Sequence, residues 1–112
     1  MLNAALGCFS LAAILGIILL IYILTDKKPP LPIALLHGGF ALSGLILLTI
    51  HAIEYMNMAW IFVGFFLLVA LFGIYLFMQK HSRKSELKAL ALGHGAVAIL
   101  GLIILVVFST MK

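Results

Sequence analysis

The sequence predicts an all-α protein: a four-helix transmembrane bundle built from two parallel helical-hairpin repeats. Three observations carry this prediction. Of 112 residues, 66% are apolar and only 9% are charged, whereas a soluble domain carries charge on about a quarter of its residues. The apolar residues fall into four runs of ~20, the length that crosses a hydrocarbon core of about 30 Å. The second half of the chain also repeats the first at a constant offset of 57 residues, without a gap.

The first apolar run covers about residues 2–24 and ends at Thr25-Asp26-Lys27-Lys28-Pro29-Pro30. No basic residue precedes it and no small-x-small cleavage site follows, so it is expected to be a retained span rather than a signal peptide. Pro29 and Pro30 are expected to stop the helix, because proline lacks the amide donor and disfavours helix in the residue before it. Pro32 suits the first turn of the next helix. The second run covers about 31–53 and closes with His51, Glu54 and Tyr55; a turn at 54–57 leads to the third run, 58–78. A basic loop follows at 79–86, in which Ser85 is a candidate N-cap for a fourth helix over about 86–109.

The seven Lys and Arg against three Asp and Glu give a formal net charge of +4. The cations are topology signals, not a nucleic-acid surface. Lys27, Lys28, Lys80, Arg83, Lys84 and Lys88 flank the 1–2 and 3–4 loops, and Lys112 stands alone on the other side. The positive-inside rule then predicts both basic loops in the cytoplasm and both termini outside, in a membrane such as the bacterial inner membrane. Tyr55 and Trp60 fall at the outer interface, with Tyr22 and Tyr75 towards the inner one. The single cysteine, Cys8, excludes an internal disulfide or a paired-cysteine redox site and reads as a small buried apolar residue.

The repeat spans 1–55 and 58–112 of one transmembrane domain, with 18 identities in 55 aligned positions. Met1, Gly7, Phe9, Gly16 and Lys27 recur as Met58, Gly64, Phe66, Gly73 and Lys84. The densest match pairs His37, Gly38, Ala41, Gly44 and Leu48 with His94, Gly95, Ala98, Gly101 and Leu105. Each unit holds two helices, so the second starts on the same side as the first and the repeats are parallel, related by a pseudo-twofold along the membrane normal. His37 and His94 are thereby expected at one depth, about 8 Å past the inner helix ends at 1.5 Å per residue. His37, Ala41, Gly44, Leu48 and His51 share one helical face, as do His94, Ala98, Gly101, Leu105 and Phe108.

Two imidazoles level with each other on parallel helices suit the axial positions of a b-type haem. The alanines and glycines one and two turns beyond each histidine, Ala41, Gly44, Ala98 and Gly101, would let backbone approach the porphyrin faces. The cations of the basic loops would pair with its propionates. The same pattern also serves close helix packing in membranes, and both readings stand at this level, together with another ligand or a proton role for the histidines. Ionisable groups inside membranes favour function. His51 lies ~21 Å above His37, where a second cofactor would sit, but Phe108 stands at its repeat position. His51 is therefore expected at the membrane interface or between protomers, with a second site as the weaker reading. His81, in the basic loop, is expected to be solvated. No carboxylate, cysteine or third histidine shares the depth of His37 and His94, which excludes a closed zinc shell. Hydrolase and transferase signatures are absent.

In layout the chain resembles small membrane-bound cytochromes b: four helices, histidines on helices 2 and 4, and a parallel arrangement. The resemblance implies electron transfer between quinols and a second acceptor. The two-haem members carry four ligand histidines, and here the second pair is lacking. Size and helix count also resemble small multidrug transporters, but those need a buried glutamate in the first helix, where no acidic residue precedes Asp26. Fluoride channels of similar size insert in both orientations, against the charge bias found here. A non-catalytic accessory or assembly subunit is the alternative. The glycines of helices 1 and 3 (Gly7, Gly16, Gly64, Gly73) are expected to pack closely within the chain or in a homodimer.

Overall fold

The computed structural model describes residues 1–55, 58–79 and 84–111, with the side chain of Lys84 excepted. It contains four helices, α1 (Leu2–Leu24), α2 (Leu31–Tyr55), α3 (Ala59–Met78) and α4 (Lys84–Thr110). Each is long and apolar enough to cross a membrane, as an integral membrane protein requires. The bundle measures 43 × 22 × 20 Å. Its long axis exceeds the ~30 Å of a hydrocarbon core, so the helix ends reach the headgroup region. Large apolar side chains such as Ile14, Leu35, Leu68 and Ile103 are exposed along the shaft, compatible with a surface that meets lipid.

The helices form a square. α1 and α3 each pack against α2 and α4, and neither diagonal shows close backbone approach among the described residues. One end of the bundle holds the start of α1, the end of α2, the start of α3 and the end of α4; the other holds the segment after α1 and the start of α4, and is called the basic end below.

Pro29 and Pro30, which begin five residues further on, do not make the stop of α1; the helix ends at Leu24, where its apolar run was expected to end. There Asp26 takes a left-handed conformation with φ 61°, Lys27 N–H donates to the Tyr22 carbonyl at 2.8 Å and Asp26 N–H to the Ile23 carbonyl at 3.2 Å. These are the two bonds of a Schellman motif, which satisfies the last carbonyls of the helix. The aspartate adds an ion pair from its Oδ1 to Lys88 Nζ at 2.9 Å, tying the end of α1 to the first turns of α4. Ser85 is not the N-cap of α4, since Lys84 is already helical; lysine is a good helix former and lengthens the helix. The cap and His81 lie outside the described residues.

The core occupies the terminal half. It comprises Leu2, Ala5 and Phe9 of α1, Leu45, Leu48 and Ala52 of α2, Ala59 and Phe66 of α3, and Leu105 of α4. Leu48 and Leu105, repeat partners in the sequence, are both fully buried. Phe9 and Phe66, also repeat partners, stack with ring centroids 4.4 Å apart and planes 18° from parallel, so their side chains bridge the α1–α3 diagonal at mid-depth. Among the described residues, the basic half buries only the side chains of Ala12 and Ala91 as fully as this.

Candidate functional site

His37 is the seventh residue of α2 and His94 the eleventh of α4, so both lie in the basic half, on the open diagonal. Each is half-buried. Each packs on a glycine of the other helix in its hairpin. A Cβ on Gly16 would lie 2.9 Å from His37 Cε1, and one on Gly73 would lie 3.2 Å from His94 Cε1. The bare glycine lets the ring lie against neighbouring backbone, the usual reason for small residues between membrane helices. Gly16 and Gly73 are themselves repeat partners.

Approach at Gly16 gives His37 its partner. Nδ1 of His37 lies 2.7 Å from the carbonyl oxygen of Ala12, one turn from Gly16 on α1. A carbonyl only accepts, so Nδ1–H is the donor, the tautomer that leaves the lone pair of a neutral imidazole on Nε2. Metal-ligating histidines are held in this way, one nitrogen donating to a carbonyl while the other faces the metal.

His94 is held differently. Its Nδ1 is buried and meets no hydrogen-bond partner among the described residues. A Cβ on Gly73 would be 3.4 Å from Nε2 as well as 3.2 Å from Cε1, whereas at Gly16 the nearer nitrogen of His37 is Nδ1, at 3.3 Å. The two rings thus turn different edges towards their hairpin partners. Phe72 flanks His94, with ring centroids 5.7 Å apart at 45°. Beside them an apolar groove of about 440 Å³ runs between α3 and α4.

The small residues beyond the histidines sit under phenyl rings. A Cβ on Gly44 would lie 2.9 Å from Phe9 Cδ1, and one on Gly101 would run into the edge of Phe65. Both glycines are buried, and Ala41 and Ala98 are half-buried. The phenyl rings of Phe9, Phe65 and Phe66 therefore form a ceiling across the bundle above the histidine layer. Nothing in the glycine pattern alone disclosed that ceiling, though the Phe9–Phe66 identity lay in the repeat.

His51, expected at the membrane interface or between protomers, is 4% exposed within the terminal half, one turn before the end of α2. Its ring meets that of Tyr55 at 4.6 Å. The face that it shares with Gly44 and Leu48 is the buried face of α2, which is the physical reason. Of the basic-loop cations, Lys88 is engaged by Asp26, while Lys27 and Lys28 are exposed at the same end. Gly7 and Gly64 have nothing within 4 Å of a Cβ, so only half of the glycines expected to pack closely do so within the chain. No cluster of three or more His, Cys, Asp or Glu able to hold a metal ion occurs among the described residues. A haem iron, by contrast, needs two axial ligands because the porphyrin supplies the rest. Compared with protein-family models, curated proteins and solved structures, the chain matches none.

Proposed function

We propose that this protein is a membrane b-type haem protein, with His37 and His94 as axial ligands across the α2–α4 diagonal, acting in electron transfer with a quinol or a membrane redox partner. The observation that carries the reading is the bond from His37 Nδ1–H to the Ala12 carbonyl at 2.7 Å. It orients the imidazole and keeps Nε2 as the nitrogen with a free lone pair, the state in which histidine binds iron. Three features support it. The second histidine stands at the repeat position on α4, the helix diagonal to α2. The layer above is closed by aromatic rings and buries large side chains, whereas the histidine layer buries only small ones. The nearest water-exposed end carries Lys27 and Lys28, which suit propionates.

In this reading the basic loops face the cytoplasm and both termini face outside, as the positive-inside rule directs. The two repeats are related by a pseudo-twofold along the membrane normal, and the free glycine faces at Gly7 and Gly64 serve a homodimer. The chain's own part is to position two imidazoles, exclude water with apolar walls and set the iron's surroundings; haem supplies the one-electron chemistry when bound.

The test is an optical spectrum of protein purified in detergent from haem-replete cells, before and after dithionite. A Soret band with sharp reduced α and β bands, lost in His37→Ala, is expected. A well-folded, colourless protein contradicts the reading.

A further inference from the structure

The exposed flank of α1 at the basic end carries a concavity of about 310 Å³, lined by Ile18, Ile21, Tyr22, Thr25 and Lys27. We propose that this groove seats one anionic phospholipid, with its phosphate on Lys27 and one acyl chain along Ile18 and Ile21. The inference stands apart from the haem reading; where haem binds as proposed above, Lys28 remains for a propionate.

The lining has the order of a bilayer. Ile18, Ile21, Tyr22 and Thr25 share one face of the last turns of α1, and Lys27 follows in the turn just beyond Leu24. Apolar side chains therefore give way to a phenol and then to an ammonium group, as acyl chains give way to phosphate. Ile21 is 55% exposed, so the apolar floor is open to lipid. Tyrosine stands at the headgroup level of membranes, and a lysine can lay its aliphatic stem on apolar surface while its charge meets the headgroups.

The donors at this spot are already sorted. The Thr25 hydroxyl lies 2.7 Å from the Ile21 carbonyl and donates to it. The amides of Asp26 and Lys27 are taken by the Ile23 and Tyr22 carbonyls, which also covers helix-end carbonyls that would repel an anion. The Lys27 ammonium and the Tyr22 phenol are left, neither with a side-chain partner among the described residues. Asp26 is the adjacent carboxylate, and its charge is met by Lys88 Nζ at 2.9 Å. Glu86 is exposed in the first turn of α4. Across this end the sequence sets six cations against those two carboxylates, a balance that draws anionic headgroups.

The second hairpin does not repeat the arrangement. Ile18, Ile21 and Tyr22 correspond to Tyr75, Met78 and Gln79, and only the charge of Lys27 recurs, as Lys84. One lipid per chain is therefore expected. The volume stands at the lower end of small-molecule sites, roughly 300–1,000 Å³. It suits a phosphoglycerol head and the upper part of one chain, with the rest of the lipid in the bilayer.

The test is native mass spectrometry of the full chain in detergent, with phosphatidylglycerol and phosphatidylcholine of equal chain length in competition. One phosphatidylglycerol adduct per chain is expected, favoured over phosphatidylcholine by about fivefold. Lys27→Gln is expected to erase that preference and Lys28→Gln to keep it. Ile21→Trp, which fills the groove at an exposed position, is expected to cut the adducts of both lipids. A wild type without the preference overturns the proposal, and that arm needs no variant to fold. Equal losses in the two lysine variants, or unchanged adducts in Ile21→Trp, overturn it as well. So does glycerol phosphate binding as well as the lipid, since the site would then take free phosphate.

Discussion

The terminal half and the basic half of this bundle use the same four helices in opposite ways. In the terminal half, leucines and phenylalanines from every helix are buried together, His51 among them, and the helix contacts serve stability. In the basic half, the buried positions among the described residues hold alanine, glycines receive the neighbouring side chains, and two imidazoles lie between the helices. Membrane helices gain little from burying apolar surface, since lipid is as apolar as leucine; they associate through van der Waals fit and hydrogen bonds. A half that stays light in fit yet keeps two costly histidines is organised around those side chains rather than around packing.

The largest test of this contrast removes fit where it is densest. Leu48→Ala or Leu105→Ala empties a site with no solvent exposure and is expected to cost about 2–5 kcal/mol, read as a lower thermal midpoint in detergent. Ile21→Ala and Leu35→Ala, at exposed positions of the basic half, are expected to stay within about 0.5 kcal/mol. Equal losses in both halves would erase the contrast.

A smaller effect separates the hairpins. Gly16→Ala puts a methyl 2.9 Å from His37 Cε1 and prises the ring from the Ala12 carbonyl. Haem content, read as the ratio of Soret to protein absorbance, is expected to fall by about tenfold. At Gly73 the same change meets His94 Cε1 at 3.2 Å and breaks no hydrogen bond, so a lesser fall is expected. A larger fall at Gly73 would contradict the weight given to the Ala12 hydrogen bond.

The smallest effect concerns the basic end. The Lys88–Asp26 pair is partly solvated, with side chains 33% and 49% exposed. Lys88→Ala is therefore expected to change stability by about 0.2–1 kcal/mol, shrinking in high salt. A larger loss would mean that the basic end is clamped by charge rather than left light.

Hydropathy made the helices legible, because runs of ~20 apolar residues have one use in a chain this poor in charge. It placed the end of α1 at Leu24 and missed other helix ends by one or two residues, but it did not show what stops α1, a backbone motif at Asp26 where a glycine would be the familiar signal. The repeat placed His37 and His94 on corresponding helices, and the structure brings them to one diagonal. It also marked Gly16 and Gly73, but not that histidines would cover them: that follows from which turns of α1 and α2 lie side by side. The burial of His51 was implicit in its spacing from Gly44 and Leu48. The Ala12 carbonyl was beyond any sequence signal, because every residue carries a carbonyl and only packing decides which one is reached.

The central claim is that His37 and His94 hold iron between them. Its most direct test is haem stoichiometry, measured as the pyridine haemochrome of wild type and His37→Ala purified alike from haem-replete cells. The account predicts about one haem b per wild-type chain, as one bis-histidine pair allows, and almost none in the variant. Equal haem in both proteins, or none in a folded wild type, would contradict it.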